Sequence, residues 1–559
     1  MDQKQDNFTI HSMIAKACET FADRPALGFA FKQPLTYEDL GRKIRLTAES
    51  LRHNCIRKGD RIGILAENSP DWGVVYLAGV SIGAVIVPVL PDFTEADVLH
   101  ILDESRVKLL FITEKQIPKI VDISQKNIRK VITLDNSRAD NHFIKTESLA
   151  DFIAKSGNCV ESKATKEIKK IGVTSEDIAS IIYTSGTSGH SKAVMLRHGN
   201  FTNNVRAIEK VVAVEPDWTF LSVLPMSHAY EFTVGFLMPL SHGARLVYCD
   251  RPPTPTILEA ICRTEKPTAM CVVPMIMEKI YKKKILPVLQ ANAAIKAIMK
   301  IPMLRKMMLR KIRERLIGFF GGELKIMAIG GAALNWEVES FMRESGFPFI
   351  VGYGLTESAP LLAGGPVGDL AVAPGSCGKP INNVEIRIQD PDPQSGIGGI
   401  LARGPNVMAG YFNNPEATAQ TITEDGWLVT GDLGKVDENG NLFVTGRVKN
   451  VIVLSHGENI YPETIEEKIN SAIFVSESLV VVDDDTLKAM VFPDYDYINR
   501  ATRGKSQREK EKYITGLLRD LQKEVNRQLP PYSRLKEMVE RPEPFTKTAT
   551  RKIKRYLYT

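Results

Sequence analysis

One segment of the chain combines glycines, hydroxyls and a lysine in a pattern suited to phosphate binding. Residues 180–195 read Ser-Ile-Ile-Tyr-Thr-Ser-Gly-Thr-Ser-Gly-His-Ser-Lys-Ala-Val-Met. Glycines allow a tight turn that exposes successive backbone N–H groups, and a polyphosphate needs many donors, little bulk and a nearby cation. The candidate binding residues are Thr184, Ser185, Gly186, Thr187, Ser188, Gly189 and Lys192.

This loop differs from a Walker A motif, which has G-x-x-x-x-G-K-[ST] at the start of a helix. No glycine stands directly before Lys192, and the flanking runs Ile181-Ile-Tyr and Ala193-Val-Met-Leu are typical of strands. The sequence therefore predicts a phosphate-binding loop between two strands.

Six further motifs with polar and glycine residues follow the loop. In chain order they are Leu224-Pro-Met-Ser-His-Ala-Tyr-Glu231, Gly330-Gly-Ala-Ala333, Gly352-Tyr-Gly-Leu-Thr-Glu357, Trp427-Leu-Val-Thr-Gly-Asp432, Gly446-Arg-Val-Lys449 and Thr548-Ala-Thr-Arg-Lys-Ile-Lys-Arg555. Together with the loop, this ordered set resembles the adenylate-forming acyl-CoA synthetase (AMP-binding) superfamily. The chain is most similar to its long-chain fatty-acid CoA ligase branch.

The resemblance implies an acid–thiol ligase of the AMP-forming type. Such an enzyme activates a fatty acid with ATP to give acyl-AMP and pyrophosphate, and then transfers the acyl group to CoA. The implied cofactors are ATP and Mg²⁺, with CoA as co-substrate.

The resemblance also implies a role for each motif. The loop would hold the β- and γ-phosphates, Glu357 would bind Mg²⁺, and Lys449 would be the hinge. The remaining implied ATP-binding residues are Gly331, Ala332, Tyr353, which would stack on adenine, and Asp432 and Arg447, which would contact the ribose. The implied catalytic residues are Lys552, Thr356, Glu357 and His228. Four positions depart from the usual pattern: Ser191, Ala193, Asn450 and Arg551.

Alternating helical and strand-like runs must position these residues. Up to about residue 380 the alternation is typical of βαβ units with largely parallel sheets, as at Arg61-Ile-Gly-Ile-Leu and Thr268-Ala-Met-Cys-Val-Val. We expect an α/β fold with a large N-terminal domain (1–446) whose β-rich part, about 384–446, is a small β-barrel. A hinge (447–449) and a smaller mobile α+β C-terminal domain (450–559) would follow.

Length and composition exclude several protein classes. The chain has 559 residues, 43% hydrophobic and 25% charged, which is ordinary for a globular protein and excludes a largely disordered chain. The net charge of +6 is a weak argument for nucleic-acid binding, and we expect no nucleic-acid partner. The polar N-terminus does not have the pattern of a secretion signal, so we expect a cytoplasmic protein, with peripheral contact to the inner face of a membrane as an option.

Two segments could be read as membrane-related. Residues 72–91 carry no charge, but their Gly and Pro content favours a buried helix followed by a strand over a transmembrane span. Residues 278–315 contain twelve Lys/Arg and two acids. The apolar spacing there (Ile295, Ile298, Met299, Leu304, Met308, Ile312, Leu316) predicts either an exposed helical hairpin with its apolar face on the core or an interfacial helix on anionic lipid.

Two alternatives to an acyl-CoA synthetase remain open at this point. A ligase with the same adenylation chemistry could load an acyl carrier protein, and the basic segment would suit an acidic carrier. A non-catalytic binding protein on this fold is the other alternative, and the presence of Lys192, Glu357, Asp432 and Lys552 argues against it.

Overall fold

The computed structural model describes residues 8–121, 127–135, 137, 145–155, 171–184, 191–251, 254–289, 293–365, 372–454, 459–483, 486–548 and 552–558. The α-helices in this part are Ile10–Thr20, Tyr37–His53, Pro70–Ser81, Glu95–Ser105, Leu149–Ala154, His198–Ile208, Met238–Ser241, Pro255–Glu265, Pro274–Ile280, Leu286–Leu289, Ala293–Ile298, Pro302–Phe319, Trp336–Ser345, Pro415–Thr421, Pro462–Asn470, Tyr495–Ala501 and Gln507–Arg527. Two π-helical runs cover Glu231–Leu237 and Tyr281–Ile285, and short 3₁₀ turns cover Glu114–Ile120, Thr356–Ser358, Val448–Asn450, Pro531–Ser533 and Arg555–Leu557.

The strands, in chain order, are β1 Pro25–Phe29, β2 Leu35–Thr36, β3 Arg61–Leu65, β4 Val85–Val89, β5 Leu109–Ile112, β6 Lys130–Thr133, β7 Thr146–Ser148, β8 Ile178–Thr184, β9 Lys192–Arg197, β10 Thr219–Ser222, β11 Arg245–Tyr248, β12 Ala269–Val272, β13 Ile326–Ile329, β14 Phe349–Gly354, β15 Leu361–Gly364, β16 Lys379–Pro380, β17 Glu385–Gln389, β18 Gly398–Arg403, β19 Gly410–Tyr411, β20 Leu428–Val436, β21 Leu442–Arg447, β22 Ile452–Val453, β23 Asn459–Ile460, β24 Val475–Asp483, β25 Thr486–Pro493 and β26 Leu535–Glu540.

Two large sheets form the N-terminal part. One has the order β16-β15-β14-β13-β12-β10-β11-β1-β2 and the other β19-β9-β8-β4-β3-β5-β6-β7. The pairs from β1 through β11, β10, β12 and β13 to β14 are parallel, as are those from β8 through β4, β3, β5 and β6 to β7. The predicted α/β fold is confirmed, because buried parallel strands alternate with helices that cover their faces.

The uncharged window 72–91 folds as the sequence predicts. Ser69 caps the helix Pro70–Ser81 through its side chain, a proline occupies the first helical turn, and every residue from Trp72 to Ser81 is buried. The strand β4 follows and is buried throughout. Among the described residues, no helix is both long and apolar enough to cross a membrane.

The β-rich part is an antiparallel sheet of four strands in the order β17-β18-β20-β21. The smaller C-terminal part has its own three-stranded sheet, β24-β25-β26, and its own apolar cluster, to which Ile465, Leu487 and Leu521 belong. A large N-terminal part followed by a small α+β part is thus the observed architecture.

The basic segment 278–315 only partly follows its predicted apolar stripe. The helix Pro302–Phe319 buries Leu309, Ile312 and Leu316, but Leu304 is 39% exposed and not part of the core face. Helical spacing identifies a stripe along the whole helix. It does not tell where along that stripe a packing partner begins, and here burial begins at Leu309.

Candidate active site

A cavity of about 1680 Å³ lies at the carboxyl ends of the parallel strands of both large sheets. Loops at this edge converge because parallel strands all end on the same side, which is where open α/β sheets bind ligands. The cavity is lined by ten of the residues singled out from the sequence: Thr184, Lys192, His228, Gly331, Ala332, Thr356, Glu357, Arg447, Lys449 and Lys552.

The two strands that were predicted to flank the loop are confirmed. Strands β8 and β9 pair antiparallel, with Thr184 opposite Lys192 at their open end. The Thr184 hydroxyl donates to the Lys192 carbonyl oxygen at 3.4 Å. The loop residues Ser185, Gly186, Thr187, Ser188 and Gly189 lie outside the described residues, so their phosphate contacts stay a prediction.

Tyr411 connects Lys192 to Glu357. The Lys192 ammonium lies 4.5 Å from the centroid of the Tyr411 ring, and the Tyr411 hydroxyl donates to Glu357 Oε1 at 2.9 Å. Strand β19 brings Tyr411 beside Lys192 by pairing with β9. Tyr411 could not be predicted from the sequence, because nothing near it in the chain shows that it meets residues more than 50 positions away.

Glu357 can serve as the single protein carboxylate of a magnesium site. It lies in a 3₁₀ turn directly after β14, and among the described residues no donor bonds to its second oxygen, Oε2. Mg²⁺ usually takes one or two carboxylates together with substrate phosphates and water. No cluster of three or more metal-binding side chains occurs in the described part of the chain, so a site here would depend on phosphate ligands.

Asp432 is buried and held by three neighbouring groups. Its Oδ1 lies 3.0 Å from Arg447 Nε, its Oδ2 accepts a 2.7 Å hydrogen bond from the Tyr353 hydroxyl, and its N–H donates to the Thr430 hydroxyl at 3.1 Å. Asp432 and Arg447 are directly opposite residues of β20 and β21. A carboxylate has about four acceptor positions, so Asp432 retains capacity for a ribose diol.

The Tyr353 ring packs beside the Ala363, Ile400 and Leu442 cluster. The cavity wall at this point is formed by Gly352 and Gly354, on either side of Tyr353. Burial and the neighbouring Asp432 raise the pKa of the Tyr353 hydroxyl, which keeps it a donor to that carboxylate. Stacking of Tyr353 on adenine therefore stays a prediction, while its role in orienting Asp432 is visible.

Lys552 extends into the cavity from the C-terminal part. Its backbone N–H donates to the Thr548 hydroxyl at 3.2 Å, and its carbonyl accepts from the Thr548 N–H at 2.8 Å. The side chain is exposed to the cavity but enclosed by protein, and this desolvation, with the Arg447 charge, lowers its pKa. Asp432 and Glu357 act in the opposite direction, so all three charged groups lie near its ammonium.

His228 lies on the cavity wall, in the turn after β10. Its backbone N–H donates to the Pro225 carbonyl at 3.0 Å. Burial lowers the pKa of its imidazole to about 4, and the Lys552 ammonium acts in the same direction. At neutral pH the ring is therefore uncharged and can position a ligand by hydrogen bonding.

Glu231, the last residue of the His228 motif, lies beneath the cavity wall. The Ser222 hydroxyl donates to Glu231 Oε1 at 2.5 Å, and Asn68 donates to the Ser222 hydroxyl at 3.0 Å. Burial raises the pKa of the Glu231 carboxyl to about 8. Glu231 is therefore a buried support for the segment that carries His228.

Two family models match the chain. The model described as AMP-binding enzyme matches residues 14–412, and the model described as AMP-binding enzyme C-terminal domain matches residues 449–558. The first alone covers more than half of the chain.

Curated relatives and solved structures extend this match. Fatty acyl-CoA synthetase A of Dictyostelium discoideum is 27% identical over 486 residues, covering 80% of this chain and 69% of that protein. 4-Coumarate–CoA ligase 4 of Arabidopsis thaliana is 29% identical over 472 residues, covering 81% and 75%. The structure of the anthranilate CoA ligase AuaEII in complex with anthranoyl-AMP matches with a TM-score of 0.79 at 20% identity, covering 99% of this chain and 96% of that chain, and shows the same fold.

Proposed function

The chain belongs to the AMP-binding enzyme family, and on that premise we propose that it is an ATP-dependent ligase that activates a fatty acid and transfers the acyl group to CoA. The relatives act on fatty and aromatic acids alike, so the family alone does not select the acid. The observation that carries the proposal is a set of apolar side chains in the wall of the cavity that Lys552 and Glu357 also line, and we call this set the apolar arm.

The apolar arm consists of aliphatic and aromatic side chains. They are Ile208, Val211, Val212, Val214, Phe220, Val234, Met238, Ile326 and Ile350. Most of them belong to, or pack against, the main apolar core of the N-terminal part. An alkyl chain fits such a wall, because each buried methylene contributes about 0.8 kcal/mol.

The first half-reaction joins the carboxylate to the α-phosphorus of ATP. A carboxylate oxygen forms the new bond, the bond to the bridging oxygen of the β-phosphate breaks, and pyrophosphate leaves. The Lys552 ammonium offsets the negative charge that builds up between the two anions, while Lys192 and the loop hold the outer phosphates. Glu357 would hold Mg²⁺, which supplies charge neutralisation on the phosphates when bound.

The second half-reaction exchanges AMP for a thiol. The thiol gives up its proton to solvent, the sulfur bonds to the acyl carbon, the bond between that carbon and the AMP oxygen breaks, and AMP leaves with the electron pair. Because the thiol cannot occupy the position of the departing pyrophosphate, we infer that the C-terminal part rotates at Lys449 between the two steps. The domain boundaries 1–446, 447–449 and 450–559 belong to this proposal.

A panel of acids tests the substrate assignment. Pyrophosphate release is measured with ATP, Mg²⁺ and saturated acids of increasing length. Benzoate and 4-coumarate are the aromatic comparators, and a sample with excess EDTA is the metal-free control. The catalytic efficiency kcat/KM should rise up to about fourfold per added methylene until the arm is filled. A clear preference for short or aromatic acids would make the fatty-acid assignment wrong.

A variant of the arm sharpens this test. Val234→Trp adds bulk at the arm and should lower the rate with long acids more than with short ones. Val436→Trp, at a position that is 39% exposed outside the cavity, is the matched control.

The thiol acceptor is tested separately. Acyl transfer is assayed with free CoA, with and without added holo-acyl carrier protein. Product formation with CoA alone supports the proposal, whereas transfer only to the carrier would favour the acyl carrier protein ligase. No pyrophosphate release with any acid would revive the non-catalytic binding protein.

A further inference from the structure

The first two turns of the helix Pro302–Phe319 are uncovered. Every residue from 301 to 307 is exposed, although burial resumes at Leu309. Four of the exposed residues are large and apolar: Ile301 (50% exposed), Met303 (75%), Leu304 (39%) and Met307 (53%). We call these four residues the apolar tip. Exposed apolar residues on a soluble protein are usually scattered singly. A cluster of four at one end of a helix therefore marks an interaction surface.

Cations surround the apolar tip. Lys300, Lys306 and Lys311 are exposed, and we call them the basic rim. No acidic residue occurs between positions 297 and 313 of the sequence. Arg305 and Arg310 are not counted in the rim, because they form ion pairs with Glu344 at 2.6 Å and with Glu314 at 3.1 Å. The surface is thus apolar at its centre and positive at its edge.

We propose that the apolar tip and the basic rim dock this protein on an anionic lipid surface. Methionine, leucine and isoleucine side chains would enter the boundary between headgroups and acyl chains, and the rim lysines would contact the anionic headgroups. This is interfacial docking by a helix end and needs no membrane-spanning segment. The proposal rests on exposure and charge alone and stands whether or not the acid substrate is a fatty acid.

The exposure of the tip favours lipid over an acidic protein. The seven consecutive residues from 301 to 307 are all exposed, so the four apolar side chains among them face solvent. Exposed apolar side chains can enter a fluid interface without a complementary pocket. An acidic protein would match the rim by charge but would need a pocket for four bulky side chains.

Vesicle co-sedimentation of the full-length protein tests the proposal. The two lipid preparations are phosphatidylcholine alone and an equimolar mixture of phosphatidylcholine and phosphatidylglycerol. Binding should occur on the mixed vesicles and weaken as salt is raised, because the Debye length falls from about 10 Å at 0.1 M to about 3 Å at 1 M. Equal recovery on both preparations at low salt would overturn the proposal.

Three variants separate the parts of the surface. The rim variant, Lys300→Gln with Lys306→Gln and Lys311→Gln, should weaken vesicle partitioning on the order of a hundredfold, since each cation near the membrane contributes about fivefold. The tip variant, Met303→Ser with Met307→Ser, should lower binding at both low and high salt. The control, Lys512→Gln with Arg519→Gln and Lys523→Gln, removes the same charge from another exposed helix and should leave binding unchanged.

Two further readouts complete the test. Pyrophosphate release without vesicles should be the same in all three variants as in the wild type, which separates this surface from the proposed active site. If the control variant lost binding as strongly as the rim variant, general charge and not this surface would be responsible. Binding to an acidic carrier protein without recruitment to vesicles would assign the surface to a protein partner and overturn the lipid proposal.

Discussion

The Lys282 ammonium donates a 2.6 Å hydrogen bond to the backbone carbonyl of Asn470. It also donates to the carbonyls of Ala472 and Val475, at 3.2 and 3.1 Å. Lys282 belongs to the large N-terminal part, whereas its acceptors belong to the small C-terminal part, at the end of the helix Pro462–Asn470. A cation at the carboxyl end of a helix is favourable, so this contact stabilises the orientation that brings Lys552 into the cavity.

Replacing Lys282 with methionine should therefore slow acyl-AMP formation. The change removes three hydrogen bonds from a charged donor, each worth about 1.5–3 kcal/mol. We expect pyrophosphate release to fall about tenfold or more, while thioester formation from supplied acyl-AMP stays unchanged or rises. Lys282→Arg keeps the charge and is the control. An equal loss of both half-reactions in a folded protein would contradict this role.

Lys552→Ala should abolish acyl-AMP formation and spare thioester formation from supplied acyl-AMP. Removing a preorganised charge from a developing anionic transition state typically costs on the order of a hundredfold to a thousandfold in rate. Lys554→Ala, two residues along the same tail, is the matched control. If Lys552→Ala lost both steps equally while the protein remained folded, Lys552 would not be the adenylating lysine.

Lys449→Pro should produce the opposite pattern. Lys449 lies in the 3₁₀ turn Val448–Asn450, whose φ is compatible with proline, so the observed orientation should persist. Rotation of the C-terminal part would need a φ change that proline forbids. We expect near-normal pyrophosphate release with slowed thioester formation. Lys449→Ala removes the side chain but keeps backbone freedom, so only an effect confined to the proline variant supports a hinge.

Glu231→Gln should change the pH dependence of stability. Burial raises the Glu231 pKa from 4.5 to about 8, so between these pH values the folded protein holds a proton that the unfolded chain releases. Stability of the wild type therefore falls as pH rises through this window, by about 1.4 kcal/mol per pH unit from this group. Glutamine stays neutral at every pH, so the Glu231→Gln variant does not lose stability in this way.

Urea denaturation midpoints of both proteins at pH 5, 6, 7 and 8 measure the effect. The Glu231→Gln variant should be close to the wild type at pH 5 and increasingly more stable towards pH 8. A difference that does not change with pH would show that Glu231 is not protonated in the folded protein.

The parts of the fold that depend on local sequence pattern could be predicted from the sequence. The strands β8 and β9 are apolar runs on either side of a Gly/Ser/Thr loop, and their pairing follows from the short connection. The parallel sheets follow from the alternation of apolar strands with helices. Most of the predicted site residues meet at one cavity because their motifs follow strands that end at the same sheet edges.

The parts that depend on distant packing were not predictable. Lys282 reaches carbonyls almost 190 positions away, and Tyr411 reaches Glu357 across 54 positions. Glu231 belongs to a recognisable motif, yet its burial depends on Ser222 and Asn68 from other elements. Leu304 has the spacing of a core residue, but its side chain is 39% exposed in the structure. Periodicity reports a face of a helix, and only the tertiary structure decides what covers it.

Transfer of a carboxyl oxygen to AMP tests the central claim most directly. A long-chain fatty acid labelled with ¹⁸O in both carboxyl oxygens is incubated with the enzyme, ATP, Mg²⁺ and CoA, and the products are resolved by mass spectrometry. If the carboxylate attacks the α-phosphorus, the released AMP carries one ¹⁸O atom and the pyrophosphate carries none. Unlabelled AMP, or ADP together with labelled phosphate, would contradict an acyl-adenylate intermediate.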